Sequence, residues 1–60
     1  MEHELSAIEY AGAAISHLAV AAEMRGTTIG KANLKIAIAE LERALKAAKV
    51  AQRQAEKPKK

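Results

Sequence analysis

The sequence predicts an all-α protein, an antiparallel two-helix hairpin that dimerises into a four-helix bundle. Three observations support this prediction. Apolar residues recur at spacings of three and four in two long segments, a short stretch with Gly and Thr separates the segments, and Ala makes up half of the hydrophobic residues. Ala has the highest helix propensity but little side-chain area to bury, so helices form easily and their packing needs further support.

The first segment predicts a helix over about residues 2–25. Its apolar positions alternate in the a/d manner of a helix that packs along one stripe, and we expect this stripe to face the second helix. The stripe consists of Leu5, Ile8, Gly12, Ile15, Ala19 and Ala22. Small residues at Gly12 and Ala19 favour close approach of the two helices. Gly26, after Arg25, suits the end of the helix.

The second segment predicts a helix over about residues 29–56, after a turn at 26–28. Thr27 or Thr28 can each supply the N-cap oxygen, and Gly30 and Asn33 weaken the first turn. Its apolar stripe consists of Leu34, Ala37, Ile38, Leu41, Ala44, Leu45, Ala48 and Ala51. A short loop makes the helices antiparallel neighbours. The hairpin therefore covers residues 1–57, and residues 58–60 are expected to form a disordered basic tail.

The chain is expected to associate with a second copy. Sixty residues bury a small core, and the chain has no Cys to provide a disulfide. Ile36, Ala47 and Val50 lie beside the main stripe of helix two, where a lone hairpin has nothing to cover them. A homodimer supplies that cover.

Charge divides the chain into an acidic and a basic half. Residues 1–26 carry four Glu against one Arg, whereas residues 27–60 carry nine Lys or Arg against three Glu. An antiparallel fold would bring Glu2 and Glu4 near Arg53 and Lys57. No uninterrupted apolar run approaches the roughly 20 residues that span a bilayer, and the start of the chain is acidic. We therefore expect a soluble, cytoplasmic protein without a membrane partner.

A second face of helix one lies opposite the predicted stripe. It carries Tyr10, His17 and Met24, with Val20 at its flank. Tyr and Met are enriched in protein interfaces, so these residues are candidates for partner binding, together with Ile36 and Val50 of helix two. A face with no binding role fits the pattern equally well.

A basic line runs along helix two on the side opposite its stripe. Its members with a candidate role in nucleic-acid binding are Lys35, Lys46, Lys49 and Arg53. Such a line can follow phosphates. Soluble helices also expose Lys routinely, and this half has no aromatic residue to stack on bases. Nucleic-acid binding is therefore the alternative and not the first reading.

Catalytic and metal-binding patterns were not found in the sequence. Ser16 precedes His17, but neighbouring helical residues point about 100° apart, and the chain contains no Asp to orient a histidine base. His3 and His17 are fourteen residues apart, without a second ligand one turn away. No glycine-rich phosphate loop is present. The sequence predicts no enzyme activity, no cofactor and no metal.

The segment Ala44–Ala55, with the sequence ALKAAKVAQRQA, follows the predicted turn and first helix. It resembles the end of the small phage-encoded anti-activator proteins of Pseudomonas phages, which inhibit quorum sensing. The resemblance covers a dozen residues of this chain. It implies a homodimeric helical protein that binds and blocks a host protein, possible targets being a transcription activator or a pilus ATPase.

The favoured function is a small, non-enzymatic interaction module, a homodimeric inhibitor or adaptor that binds a host regulatory protein. The first alternative is a hairpin dimer that binds RNA or DNA through the basic face of helix two. The second is a structural assembly peptide.

Overall fold

A computed structural model describes residues 1–57 and has two helices in this range, α1 (Glu2–Glu23) and α2 (Thr28–Glu56). They pack side by side as an antiparallel hairpin about 54 Å long. The predicted all-α hairpin is confirmed. The predicted basic tail at 58–60 lies outside the described residues.

The turn is built from a glycine and a capping threonine. Gly26 has φ +79°, the left-handed conformation that its position at the end of α1 predicts. Thr27, and not Thr28, is the N-cap of α2. Its Oγ1 accepts a hydrogen bond from the backbone N–H of Gly30 at 3.0 Å and donates one to the carbonyl oxygen of Met24 at 2.6 Å. The turn thus spans residues 24–27, and α1 ends two residues earlier than predicted.

Gly30 allows the two helices to meet closely at the turn. It is buried, and a Cβ at this position would overlap the carbonyl oxygen of Met24. From the sequence, Gly30 is expected only to weaken the first turn of α2, because Gly has a low helix propensity. The close approach explains why the weak helix former is present.

Small residues form the contact between the helices. Ala14 and Ala37 are fully buried, and Ala21 and Ala51 nearly so. These positions continue at intervals of seven, through Ala7 on α1 and through Gly30 and Ala44 on α2. Side chains of this size let the backbones approach closely. The core of the hairpin is therefore a seam of Ala and Gly.

The predicted inner stripe of helix one is wrong. Leu5, Ile8 and Ile15 are 53%, 66% and 67% exposed, and Gly12, Ala19 and Ala22 are exposed too. Gly12 has no atom near its missing Cβ, so it does not serve the contact with α2. In α2, the predicted stripe is right for Ala37, Ala44 and Ala51 and wrong for Ala48 and for its Leu and Ile members, which are exposed. The short turn holds the helices too close for large side chains to fit between them.

Helix α1 is long and apolar enough to cross a membrane, by length and composition alone. The expectation that no such segment exists rested on uninterrupted runs, which Glu9 and His17 break. Buried helices of soluble proteins and signal sequences satisfy the same criterion. In this hairpin, α1 owes its apolar character to two separate features, the Ala seam and the exposed stripe.

Candidate functional site

Large aliphatic side chains of both helices lie exposed on one side of the hairpin. Their exposed fractions range from 38% to 67%. We call this surface the apolar face, and its members are Leu5, Ile8, Ile15 and Leu18 of α1 and Leu34, Ile38, Leu41 and Leu45 of α2. No large side chain is fully buried in the described chain, so this face holds more apolar area than the core.

The two helices contribute to the apolar face at matching levels. Ile8 lines a groove with Ala48 and Gln52, and Leu18 lines another with Leu34. Members of the face recur at intervals of seven, as the Ala seam does: Ile8 and Ile15 on α1, and Leu34 with Leu41 and Ile38 with Leu45 on α2. Each helix therefore has two seams, one used inside the hairpin and one left open.

The magnitudes show which seam matters more for stability. Burying a Leu or Ile side chain completely is worth about 1.5–3 kcal/mol, whereas an Ala methyl contributes roughly a third of that. The hairpin buries Ala and leaves Leu and Ile in water. Most of the hydrophobic free energy that this sequence can supply is thus unused in the single hairpin.

Charged residues of opposite sign border the apolar face. At helical spacing, the flank of α1 farthest from α2 carries Glu2, Glu9 and Glu23, which stand at multiples of seven along the chain. We call it the acidic edge. The corresponding flank of α2, the basic edge, carries Lys31, Lys35, Lys46, Lys49 and Arg53, with Glu42 as its acidic exception.

The charges of these edges are not paired with each other inside the hairpin. Within residues 1–57, the two contacts of acidic with basic groups at ion-pair distance join the Met1 ammonium group to Glu4 and His17 to Glu40, and the second is an ion pair only when His17 is protonated. The predicted approach of Glu2 and Glu4 to Arg53 and Lys57 is not among them. For Glu2 and Arg53 the reason is geometric, because the two edges lie on opposite flanks of the helix pair. Glu4 pairs with the Met1 ammonium group instead.

The opposite side of the hairpin carries a mixed polar and apolar groove of about 300 Å³. We call it the Tyr10 groove, and it is lined by His3, Tyr10, Arg43, Lys46, Ala47 and Val50. The guanidinium carbon of Arg43 lies 6.0 Å from the centroid of the Tyr10 ring, at the outer limit of a cation–π contact. Tyr10 itself is 38% exposed.

His17 joins the two helices on this same side. Its Nδ1 lies 2.8 Å from Oε1 of Glu40 and 3.0 Å from the carbonyl oxygen of Ala13. Both partners are acceptors when Glu40 is ionised, so Nδ1 carries the hydrogen. Glu40 is largely buried, and this contact satisfies its carboxylate. The contact links the two helices. Ser16, the neighbour of His17 in the sequence, donates instead to the carbonyl oxygen of Gly12 at 3.4 Å.

The structure corrects the predicted position of the partner-binding face. Tyr10, His17 and Met24 do not lie opposite α2 but along its border, where His17 and Met24 are half-buried. Val20 and Ile36 stay 37% and 45% exposed on the same side, and Val50 lines the Tyr10 groove. The structure thus places the six predicted residues on one side of the hairpin, away from the apolar face.

The residues predicted for nucleic-acid binding are all exposed. Lys35, Lys46, Lys49 and Arg53 lie on the basic edge, and Lys46 also borders the Tyr10 groove. Helical spacing keeps them in one line about 27 Å long at 1.5 Å per residue. No aromatic ring lies on this edge, because Tyr10 is the only aromatic residue of the chain.

Three features were not predicted from the sequence: the exposed apolar face, the interhelical contact of Glu40 and the close approach of the helices at Gly30. Glu40 lies one turn from Ala37 and Ala44, so recognising the Ala seam would have placed it beside α1 and made it a candidate partner for His17. The Ala residues that recur at intervals of seven were the sequence pattern from which the seam could have been predicted. Leu and Ile obscured it, because their stripe has the same period and larger side chains.

One carboxyl group near the apolar face has a shifted pKa. A hydrogen bond from its own backbone N–H, followed by one from the Met1 ammonium group, lowers the pKa of Glu4 below its ordinary value. Glu4 also borders the groove at Ile8. Within residues 1–57, no group of three His, Cys, Asp or Glu side chains is arranged to hold a metal ion.

No protein-family model matches this chain, and no curated protein or solved structure matches it either.

Proposed function

We propose that the chain is a non-enzymatic protein-association module, a homodimeric four-helix bundle held together by the apolar face. The observation that carries this proposal is the distribution of large side chains. Eight Leu and Ile residues stand exposed on one side, while the contact between the helices consists of Ala and Gly. Contiguous apolar surface of this kind marks an interaction site in a soluble protein.

One side of the whole hairpin is close in size to a standard dimer interface. It measures 54 × 13 Å between Cα positions, or about 700 Å² before side chains are added, and the apolar face occupies its central part. A standard interface buries about 800 Å² on each partner. Packing of one apolar face on another surrounds the eight Leu and Ile residues of this face with apolar neighbours and gives each helix two adjacent helices.

A bundle of this kind leaves the Tyr10 groove on its outside. We propose that this groove receives the target of the dimer, which acts as an inhibitor or adaptor of a host regulatory protein. Tyr10 and Val50 provide apolar contact there, and Arg43 provides charge. Val20 and Ile36 are exposed farther along the same side and extend this apolar contact. Aromatic and Arg side chains in such surroundings are the residues that contribute most to protein interfaces.

A soluble dimer explains more of the hairpin than a membrane-spanning α1 does. The apolar face belongs to both helices, and α2 also carries the basic edge, which resists burial in lipid. A span formed by α1 alone would leave Leu34, Ile38, Leu41 and Leu45 of α2 without cover. We therefore assign the chain to the soluble phase of the cell, the cytoplasm.

Size-exclusion chromatography with light scattering tests the dimer directly. The expected mass over a micromolar concentration range is twice that of the 6.4 kDa chain. A stable monomer at these concentrations would overturn the proposal, and so would a larger assembly, which the structural-peptide alternative expects. Co-sedimentation with vesicles of neutral lipid in the same buffer tests the membrane alternative, and we expect the chain to remain in the supernatant.

A further inference from the structure

We infer that the two copies pack with their twofold axis parallel to the helices, so that α1 of each copy lies on α2 of the other. This inference rests on the proposed dimer and specifies its topology. The second copy is the partner, and the signs of the two charged edges determine how it sits.

Two symmetric arrangements bring the apolar faces together. With the twofold axis parallel to the helices, α1 faces α2 of the partner. With the axis perpendicular to the helices, within the interface plane, α1 faces α1 and α2 faces α2. Both arrangements make facing helices antiparallel, and both cover the same apolar side chains. Hydrophobic burial therefore does not distinguish them.

The charged edges do distinguish them. In the parallel-axis arrangement, the acidic edge of each copy runs beside the basic edge of its partner. In the perpendicular-axis arrangement, Glu2, Glu9 and Glu23 run beside their own copies, and so do the basic residues. Exposed charges act over about 8–10 Å at moderate salt, so like-charge edges repel and unlike edges attract.

The register within the hairpin shows which charges meet. The contacts of His17 with Glu40 and of Tyr10 with Arg43 fix the level of each α1 residue against α2. A twofold axis parallel to the helices preserves these levels. Three acid–base groups then form along each flank of the dimer: Glu2 with Arg53, Glu9 with Lys46 and Lys49, and Glu23 with Lys31 and Lys35. Glu42 is the exception on the basic edge. It stands opposite the part of α1 between Glu9 and Glu23, where the acidic edge has no Glu.

The apolar side chains fit the same register by size at three levels. Ile8 stands at the level of Ala48 and Ala22 at that of Leu34. The His17–Glu40 contact sets Gly12 at the level of Leu45. In each pair a large side chain stands against a small one, which lets facing layers interdigitate. Gly12 has no neighbour in the single hairpin. In the dimer, the partner's Leu45 would pack against Gly12. The glycine has no such contact in the single hairpin.

Disulfide trapping tests the topology, and the absence of native Cys makes it unambiguous. Ala22→Cys and Leu34→Cys are prepared as separate single variants, mixed, allowed to exchange and oxidised. The parallel axis places residue 22 of one copy beside residue 34 of the other, whereas the perpendicular axis places them at opposite ends of the dimer. We expect the mixed disulfide to predominate over both self-linked products. Its absence from a dimeric mixture would overturn the topology.

A single variant provides the reverse control. Gly12 lies near the middle of α1, where only the perpendicular axis brings both copies of residue 12 together. We expect Gly12→Cys to stay unlinked under the same oxidation. Efficient self-linking would overturn the topology and leave the dimer itself intact. Failure of the proposed function, by contrast, would appear as a monomer before any oxidation.

Charge reversal tests the same point without thiols. Glu9→Lys combined with Glu23→Lys places like charges along both flanks of the parallel-axis dimer, and its dissociation constant should rise by about tenfold or more, from several pairs of modest strength. In the perpendicular-axis dimer these edges are already alike in sign, so the constant would not rise. Glu42→Lys is the control, because no charge of α1 stands opposite it, and circular dichroism verifies that all variants stay helical.

Discussion

The Nδ1 atom of His17 lies 2.8 Å from Oε1 of Glu40, and this contact joins α1 to α2 across a seam that otherwise consists of small apolar side chains. An Ala seam fixes distance but specifies register poorly, because each methyl group fits several neighbouring positions. A directional hydrogen bond at one level of the seam selects a single register. We therefore regard the pair as the element that aligns the helices.

Removal of the Glu40 carboxylate should destabilise the hairpin. Glu40→Ala leaves Nδ1 of His17 with one acceptor, the carbonyl oxygen of Ala13, and we expect a loss of about 1–2 kcal/mol in unfolding free energy. Urea denaturation followed by circular dichroism, at one fixed protein concentration, measures it. Glu42→Ala is the matched control, since Glu42 is exposed on the basic edge. Equal effects of both substitutions would show that the interhelical contact contributes nothing.

Thr27 should contribute more to stability than its neighbour Thr28. The Thr27 hydroxyl accepts from the N–H of Gly30 and donates to the carbonyl oxygen of Met24, so it links the end of α1 to the start of α2. We expect Thr27→Ala to cost about 1 kcal/mol, as loss of an N-cap does. Thr28→Ala removes the same atoms from the first turn of α2 and should have little effect. Thermal unfolding at matched concentration compares them, and a larger loss at Thr28 would contradict the observed cap.

Gly30 and Gly12 should respond oppositely to the same substitution. Gly30→Ala forces a Cβ against the Met24 carbonyl and should cost about 1–3 kcal/mol, a typical overpacking penalty. Gly12→Ala meets open space in the single hairpin and improves helix propensity, so at a dilution that dissociates the dimer its melting temperature should be unchanged or higher. Thermal unfolding gives both values. Tolerance of Ala at position 30 would mean that the helices do not approach as closely as described.

A charge in the apolar face should dissociate the dimer. Ile15 is 67% exposed in the hairpin and central in the proposed interface, so Ile15→Lys buries an unpaired ammonium group there. We expect the dimer dissociation constant to rise at least about 100-fold, which corresponds to roughly 3 kcal/mol. Sedimentation equilibrium measures this constant. Ser16→Lys adds the same charge one residue away, outside the face, and an equal effect there would argue against the assignment of the interface.

The sequence determines the helices and their antiparallel order, but not which stripe faces which helix. Repeats of seven occur in the Ala seam, in the exposed Leu and Ile stripe, and in Glu2, Glu9 and Glu23. A periodic apolar stripe predicts that a helix packs against another helix. It does not indicate whether that other helix belongs to the same chain or to a second copy. The largest side chains suggested the inner stripe, and this inference was wrong because the Thr27 cap and Gly30 bring the helices within reach of Ala alone. The geometry of the turn, and not the hydrophobicity of the stripes, decides which stripe is buried between α1 and α2.

The nucleic-acid alternative makes a prediction opposite to that of the dimer topology. Within the proposed dimer, the partner's acidic edge lies beside Lys46, Lys49 and Arg53 and reduces their attraction for phosphate. We therefore expect no mobility shift of duplex DNA or paired RNA at about 0.15 M salt, where binding through phosphates alone is already weak. A shift that weakens steeply with salt and disappears in Lys46→Glu, Lys49→Glu and Arg53→Glu variants would favour the alternative. The same variants separate the two functions, because the topology predicts that they also weaken the dimer, whereas a nucleic-acid site on a free basic edge predicts a dimer of unchanged strength.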